Sequence, residues 1–189
     1  ESANELKLML ENSFKFANVC EHQKLKEDPE YKPDFFEIDS EEDIKRYLFQ
    51  YLPKKCAENY AKLHNLNLVH VYSHDGNVTL AGSIVDLDSV KGKSLFEDDA
   101  EITSKDKSKD VDNFLENIKQ TFFEILAKQP SLGDEKEIDE FCLNFYQEYL
   151  NKIPLEGDLI TNIVKIYDRI RYSKDLAATN LLNELLDIV

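Results

Sequence analysis

The sequence predicts a mainly α-helical chain with a small β-hairpin insert, an α+β fold. Three observations carry this. Apolar residues recur at helical spacing through the first third and again through the second half. Between them, residues 66–87 alternate short β-rich runs with turn residues. Hydrophobic residues make up 42 % of 189 residues, enough to bury a core.

The elements follow in order. Leu6, Met9, Leu10, Phe14 and Val19 give a helical stripe from Asn4 to about Cys20. Residues His22 to Asp39, with Pro29, Pro33 and many charges, read as an exposed connection. Ser40, followed by Glu41, Glu42 and Asp43, is a good helix start, because acids favour the positive end of the helix dipole. Ile44, Tyr47, Leu48 and Tyr51 share one face. Pro53 should break or kink that helix and open a second one, striped by Cys56, Tyr60 and Leu63 and ending near Leu66. Leu66–Tyr72, Val78–Leu80 and Ile84–Leu87 read as strands, with a tight hairpin between Asn77 and Asp86. Residues Lys91 to Lys109, with the acidic run Glu97-Asp98-Asp99, read as a polar loop. Further helices are expected over Asp110–Lys128, Asp134–Asn151, Asp158–Tyr172 and Ser173–Ile188. This divides the chain into a helix with a charged connection (1–39), a central unit (40–130) and a helical subdomain (131–189).

Charge narrows the function classes. Against 23 Lys+Arg stand 38 Asp+Glu, a formal charge of −15. Nucleic acid and anionic membranes need basic residues to displace counterions, so neither is an expected partner. No apolar stretch reaches the roughly 18 residues of a membrane span. The opening from Glu1 has no basic-then-apolar leader; without an initiating Met it reads as a cut edge or a trimmed start. The cysteines, Cys20, Cys56 and Cys142, are odd in number and far apart, which suggests a reducing, cytoplasmic setting, no zinc site and three buried small hydrophobes. The five glycines form no phosphate-cradling loop. Of the histidines, His22 and His64 are expected at the surface, and His74 in a solvent-facing loop. In the late stretch Ile166–Tyr172, Ile166 and Ile170 read as core, with Arg169 and Arg171 pairing with carboxylates.

Chemistry concentrates between His70 and Ser89. A helix delivers the chain to a strand, a loop bearing Asp75 and Asn77 follows, and a hairpin returns Asp86 beside Asn77. An amide oxygen and carboxylates converging at hairpin ends suit Mg²⁺, which takes hard oxygen ligands. Such an ion bridges phosphate oxygens in phosphoryl and nucleotidyl transfer.

This stretch resembles the catalytic loop of the protein-kinase-like superfamily, in which a His is followed seven residues later by Asn and then, after a hairpin, by a metal-binding Asp. His70 and Asn77 have that spacing; Asn77 and Asp86, nine apart with Gly82 at the hairpin tip, look most like the selenoprotein-O family of protein adenylyltransferases. The resemblance covers about residues 41–128. It implies a kinase-like C-lobe, here without an evident N-lobe. It implies Mg²⁺ or Mn²⁺ with ATP, held by Asn77 and Asp86 with Asp88 as a further metal contact. Tyr72 stands where kinases carry the catalytic Asp, so Asp75 becomes the candidate catalytic base or orienting group. His70 would pack under the loop, and Asp110 or Asp112 would brace the loop backbone. The implied acceptor is a protein or small-molecule hydroxyl. The missing lobe would come from another part of the polypeptide or a partner protein, and the chain alone is not expected to be active. The competing reading is a non-catalytic protein-interaction domain, either pseudokinase-like or purely helical.

Overall fold

The structure is a computed structural model that describes residues 3–14, 26–28, 30, 34–71, 77–85, 90–92 and 101–153. Cys20, His22, His74, Glu97-Asp98-Asp99, Ile166–Tyr172 and the two helices expected after residue 157 lie outside the described residues. The described residues form a mainly helical fold with one small two-stranded antiparallel sheet.

Helix α1 (Ala3–Ser13) buries Leu6 and Leu10, and Phe14 just beyond it is also buried. A 3₁₀ turn, Asp34–Glu37, plants Phe35 in the core. Helix α2 (Glu41–Arg46) begins where Ser40 predicts: its hydroxyl oxygen accepts the Asp43 amide at 3.1 Å, and three acids occupy the first turn.

Pro53 stands in the first turn of the second helix, as expected, but the chain does not leave helical conformation there. A π turn, Tyr47–Tyr51, joins α2 directly to α3 (Leu52–Asn65), and the junction residues keep right-handed helical dihedrals. Proline cannot donate to the carbonyl four residues back, here that of Phe49, and its ring crowds it. The widened turn relieves that crowding. The side-chain amide of Asn144 donates to the Phe49 carbonyl at 3.1 Å, so this buried acceptor keeps a partner.

Strand β1 (Leu68–His70) pairs antiparallel with β2 (Val90–Gly92), Leu68 opposite Gly92 and His70 opposite Val90. Here the expected polar loop from Lys91 is corrected: Lys91 and Gly92 belong to a strand. Helix α4 (Ser104–Lys128) likewise starts earlier than the expected Asp110. Thr103 and Asp106 cap each other's backbone reciprocally, which fixes its first turn. After a 3₁₀ turn, Pro130–Leu132, helix α5 (Glu135–Leu150) opens with a second such box, Asp134 with Glu137.

Helix α5 packs along α3. One apolar cluster runs from Leu6 on α1 to Leu150 on α5, so all three sequence segments contribute to a single core. Phe14, Phe49 and Phe141 surround Phe122 near one end of α4, with ring centroids 5.1–6.4 Å apart. Tyr60, Phe114, Phe145 and Tyr149 form a second aromatic group beneath the sheet end of α3. Cys56 and Cys142 are both buried. Among the described residues no helix is long and apolar enough to cross a membrane.

Candidate functional site

The hairpin is present and firmly seated. Val85 donates its amide to the Asn77 carbonyl at 2.8 Å, Val78 bridges Ile84, and Thr79 donates to the Ser83 carbonyl at 2.9 Å. The tip is a turn closed by the Gly82 amide on the Thr79 carbonyl, and Gly82 takes φ +79°, a left-handed conformation favouring glycine. Val78 and Leu80 are buried. Two side chains of the α2–α3 helix dock the tip: the Tyr47 hydroxyl donates to the Leu80 carbonyl and the Asn59 amide to the Gly82 carbonyl, both at 2.8 Å.

Strand β1 delivers His70 to the same place. His70 is buried; its Nε2 lies 3.1 Å from the Val85 carbonyl, which can only accept, so Nε2 carries the proton of that bond. Its backbone amide donates to the Asp110 carboxylate at 2.6 Å. Asp110, one of the two acids expected to brace this stretch, thus holds the backbone at its start. His70 ties β1 both to the hairpin and to α4; the loop under which it is expected to pack lies outside the described residues.

The structure corrects the placement of His64. It is completely buried, not at the surface. Its Nε2 lies 3.0 Å from Asp110 Oδ2, and its Nδ1 lies 2.6 Å from the Tyr149 hydroxyl. A carboxylate only accepts, so Nε2 is the donor to Asp110, and Nδ1 accepts the Tyr149 hydroxyl proton in the Nε2–H tautomer. Burial, with the negative charge of Asp110, pushes the Tyr149 phenol well above its usual range, so that oxygen keeps its proton. His64, Asp110, Tyr149 and the His70 amide thus form one buried polar network joining α3, α4, α5 and β1.

Of the expected site residues, Asn77 is described. It is buried at the open end of the hairpin, joined to Val85, the residue before Asp86. Asp75, Asp86 and Asp88 lie outside the described residues. The donor set Asn77, Asp86 and Asp88 is all hard oxygen, the chemistry Mg²⁺ takes. Among the described residues, no group of three or more His, Cys, Asp or Glu is arranged to hold a metal.

A cavity of about 370 Å³ opens beside this network. Val69, Val71, Lys91, Lys109, Asp110 and Asn113 line part of it. A larger one, about 550 Å³, lies between α1 and α4 and is lined by residues such as Leu8, Met9 and Thr121, none of them from the loop or the hairpin. The smaller cavity borders Asp110, a member of the buried network.

Compared with family models, with curated proteins and with solved structures, the chain matches none.

Proposed function

We propose that the chain is the C-lobe-like part of an ATP- and Mg²⁺-dependent transferase with kinase-like architecture, acting in a reducing, cytoplasmic setting. One observation carries this reading. The end of strand β1 at His70 and the hairpin that begins at Asn77 are tied to each other and to α4 through the His70 side chain and amide. A strand end and hairpin tied in this way suit chemistry that depends on placing a few oxygen ligands.

In this reading Asn77 and Asp86 hold the ion, Asp88 adds a contact, and Asp75 orients the acceptor hydroxyl and takes its proton. The ion, when bound, neutralises charge on the phosphate oxygens. Attack by the acceptor oxygen at the γ-phosphorus forms a phosphoryl ester and releases ADP; attack at the α-phosphorus forms an adenylyl ester and releases pyrophosphate. The compact Asn77-to-Asp86 spacing favours the second.

The test is calorimetric titration of Mg²⁺-ATP into the longest natural polypeptide that contains this chain, beside Asn77→Ala and Asp86→Ala. Magnesium-dependent binding that falls at least tenfold in both variants is the expected outcome, since each loses an ion ligand in a low-dielectric site (about 1.4 kcal/mol or more). ATP labelled at the α or γ position then names the group transferred. Binding indifferent to both substitutions, or no binding, overturns the assignment in favour of a protein-interaction domain.

A further inference from the structure

Tyr149 lies 85 residues from His64 in sequence and on a different helix, yet its hydroxyl reaches the His64 ring at 2.6 Å. The His64 ring reaches Asp110, and Asp110 reaches the His70 amide. Every side chain in this series is buried. An imidazole has two nitrogens with opposite roles in a given tautomer, so what one nitrogen binds decides what the other offers. The Asp110 carboxylate only accepts, so it fixes the ring proton on Nε2, and Nδ1 becomes the acceptor for the Tyr149 hydroxyl. Without that hydroxyl, Nδ1 would be left a buried acceptor, and the ring would lose the second contact that fixes its orientation toward Asp110.

We propose that Tyr149 is a positioning residue for the end of strand β1 at His70: its hydroxyl anchors the His64 ring in the orientation that holds the Asp110 carboxylate on the His70 amide. That this strand end serves a transferase site rests on the function proposed above; the relay itself does not. The last described helix thereby reaches the His70 amide through two intervening side chains. Phe145 and His64 also pack against the Tyr149 ring, with centroids 5.9 and 5.6 Å away. Tyr149→Phe keeps those ring contacts and removes only the hydroxyl.

The experiment is NMR on the full chain without nucleotide. In the wild type, ring ¹⁵N shifts should show the His64 proton on Nε2. In Y149F the proton should stay on Nε2, which the carboxylate fixes, while the ring loses its second anchor. The His70 amide should exchange about three- to tenfold faster relative to the Phe122 amide, which serves as a reporter of global opening, as expected for weakening one buried hydrogen bond. His64→Gln supplies the discriminating background, because its amide can still donate to Asp110 whatever stands at 149. There, adding Y149F should leave the His70 amide unchanged. A His64 proton found on Nδ1 in the wild type overturns the proposal, even if Y149F proves unstable. So does a His70 amide unmoved by Y149F, or one moved equally in both backgrounds, the signature of mere packing. Failure of Mg²⁺-ATP to bind the wild type would overturn the functional reading and leave these NMR outcomes to decide the relay.

Discussion

Cys56 lies fully buried on the inner face of α3, and desolvation pushes its thiol above the ordinary value of 9.0. The folded chain therefore holds this proton more tightly than the unfolded chain does. Above pH 9.0 the unfolded chain releases it first, so stability falls as pH rises. Tyr149 acts in the same direction from 10.0 upward, through burial and the charge of Asp110. The expected unfolding midpoint in urea is flat from neutral pH to about 9 and then declines, each group adding a slope of up to about 1.4 kcal/mol per pH unit. Cys56→Ala should decline less steeply just above 9.0; an identical slope would show that the thiol does not contribute. Residues differ in how far the sequence reveals them. Asp110 is legible, together with Asp112, as a candidate brace because both follow the His70-to-Asn77 stretch on the next long helix. His64 reads as a surface residue when taken as a lone polar ring near a helix end. Yet Leu52, Cys56, Tyr60 and His64 follow at steps of four, one continuous buried stripe. What admits a polar ring there is its partners, 46 and 85 residues away, and no single-helix pattern contains them.

The hairpin 77–85 is the element on which the site depends, and its tip is its most exacting point. A Cβ on Gly82 would lie 2.6 Å from Lys55 Cβ and 3.2 Å from the Cys56 nitrogen, with the backbone already at φ +79°. Gly82→Ala therefore meets a strained dihedral and a rigid helix backbone together. The expected loss is about 2–4 kcal/mol in chemical denaturation. A loss within about 0.5 kcal/mol, the usual range for surface changes, would show that the tip is not seated on α3. This element is readable in sequence because Ala81-Gly82-Ser83 is turn chemistry between two β-rich runs. Strand β2 is not, since three residues with Lys91 and Gly92 among them look like loop. Its pairing with β1 is what makes it a strand, and Gly92 lets the Asn67 carbonyl approach to 2.6 Å of where a Cβ would sit. The α4 start was open to a closer reading, because Thr103 and Asp106 stand at the spacing of a capping box. The continuous helix through Pro53 was not, because it depends on Asn144, 95 residues from Phe49.

Across the described residues the mainly helical class follows from periodicity, whereas the small sheet depends on a partner strand that reads as loop; the excess of 15 negative charges decides how the fold answers to salt. Two effects oppose each other. Salt weakens the ion pairs, of which Lys55–Asp34, Arg46–Asp43 and Lys152–Glu148 have both side chains at least a quarter exposed. Pairs of that kind contribute about 0–1 kcal/mol each. Salt also screens repulsion among acids that outnumber bases 38 to 23, and that repulsion acts on the compact state more than on the expanded chain. Between 0.01 and 0.1 M salt the screening length falls from about 30 to about 10 Å. Long-range repulsion is thus largely removed while contacts of 2.6–3.2 Å keep most of their attraction. The repulsive term should win. Thermal unfolding in KCl over that range is expected to show Tm rising by about 2–6 °C, corresponding to about 1–2 kcal/mol for a chain of this size. A Tm that stays level or falls would mean that the acids are matched locally by the bases, and that the net charge is spread too widely to strain the fold.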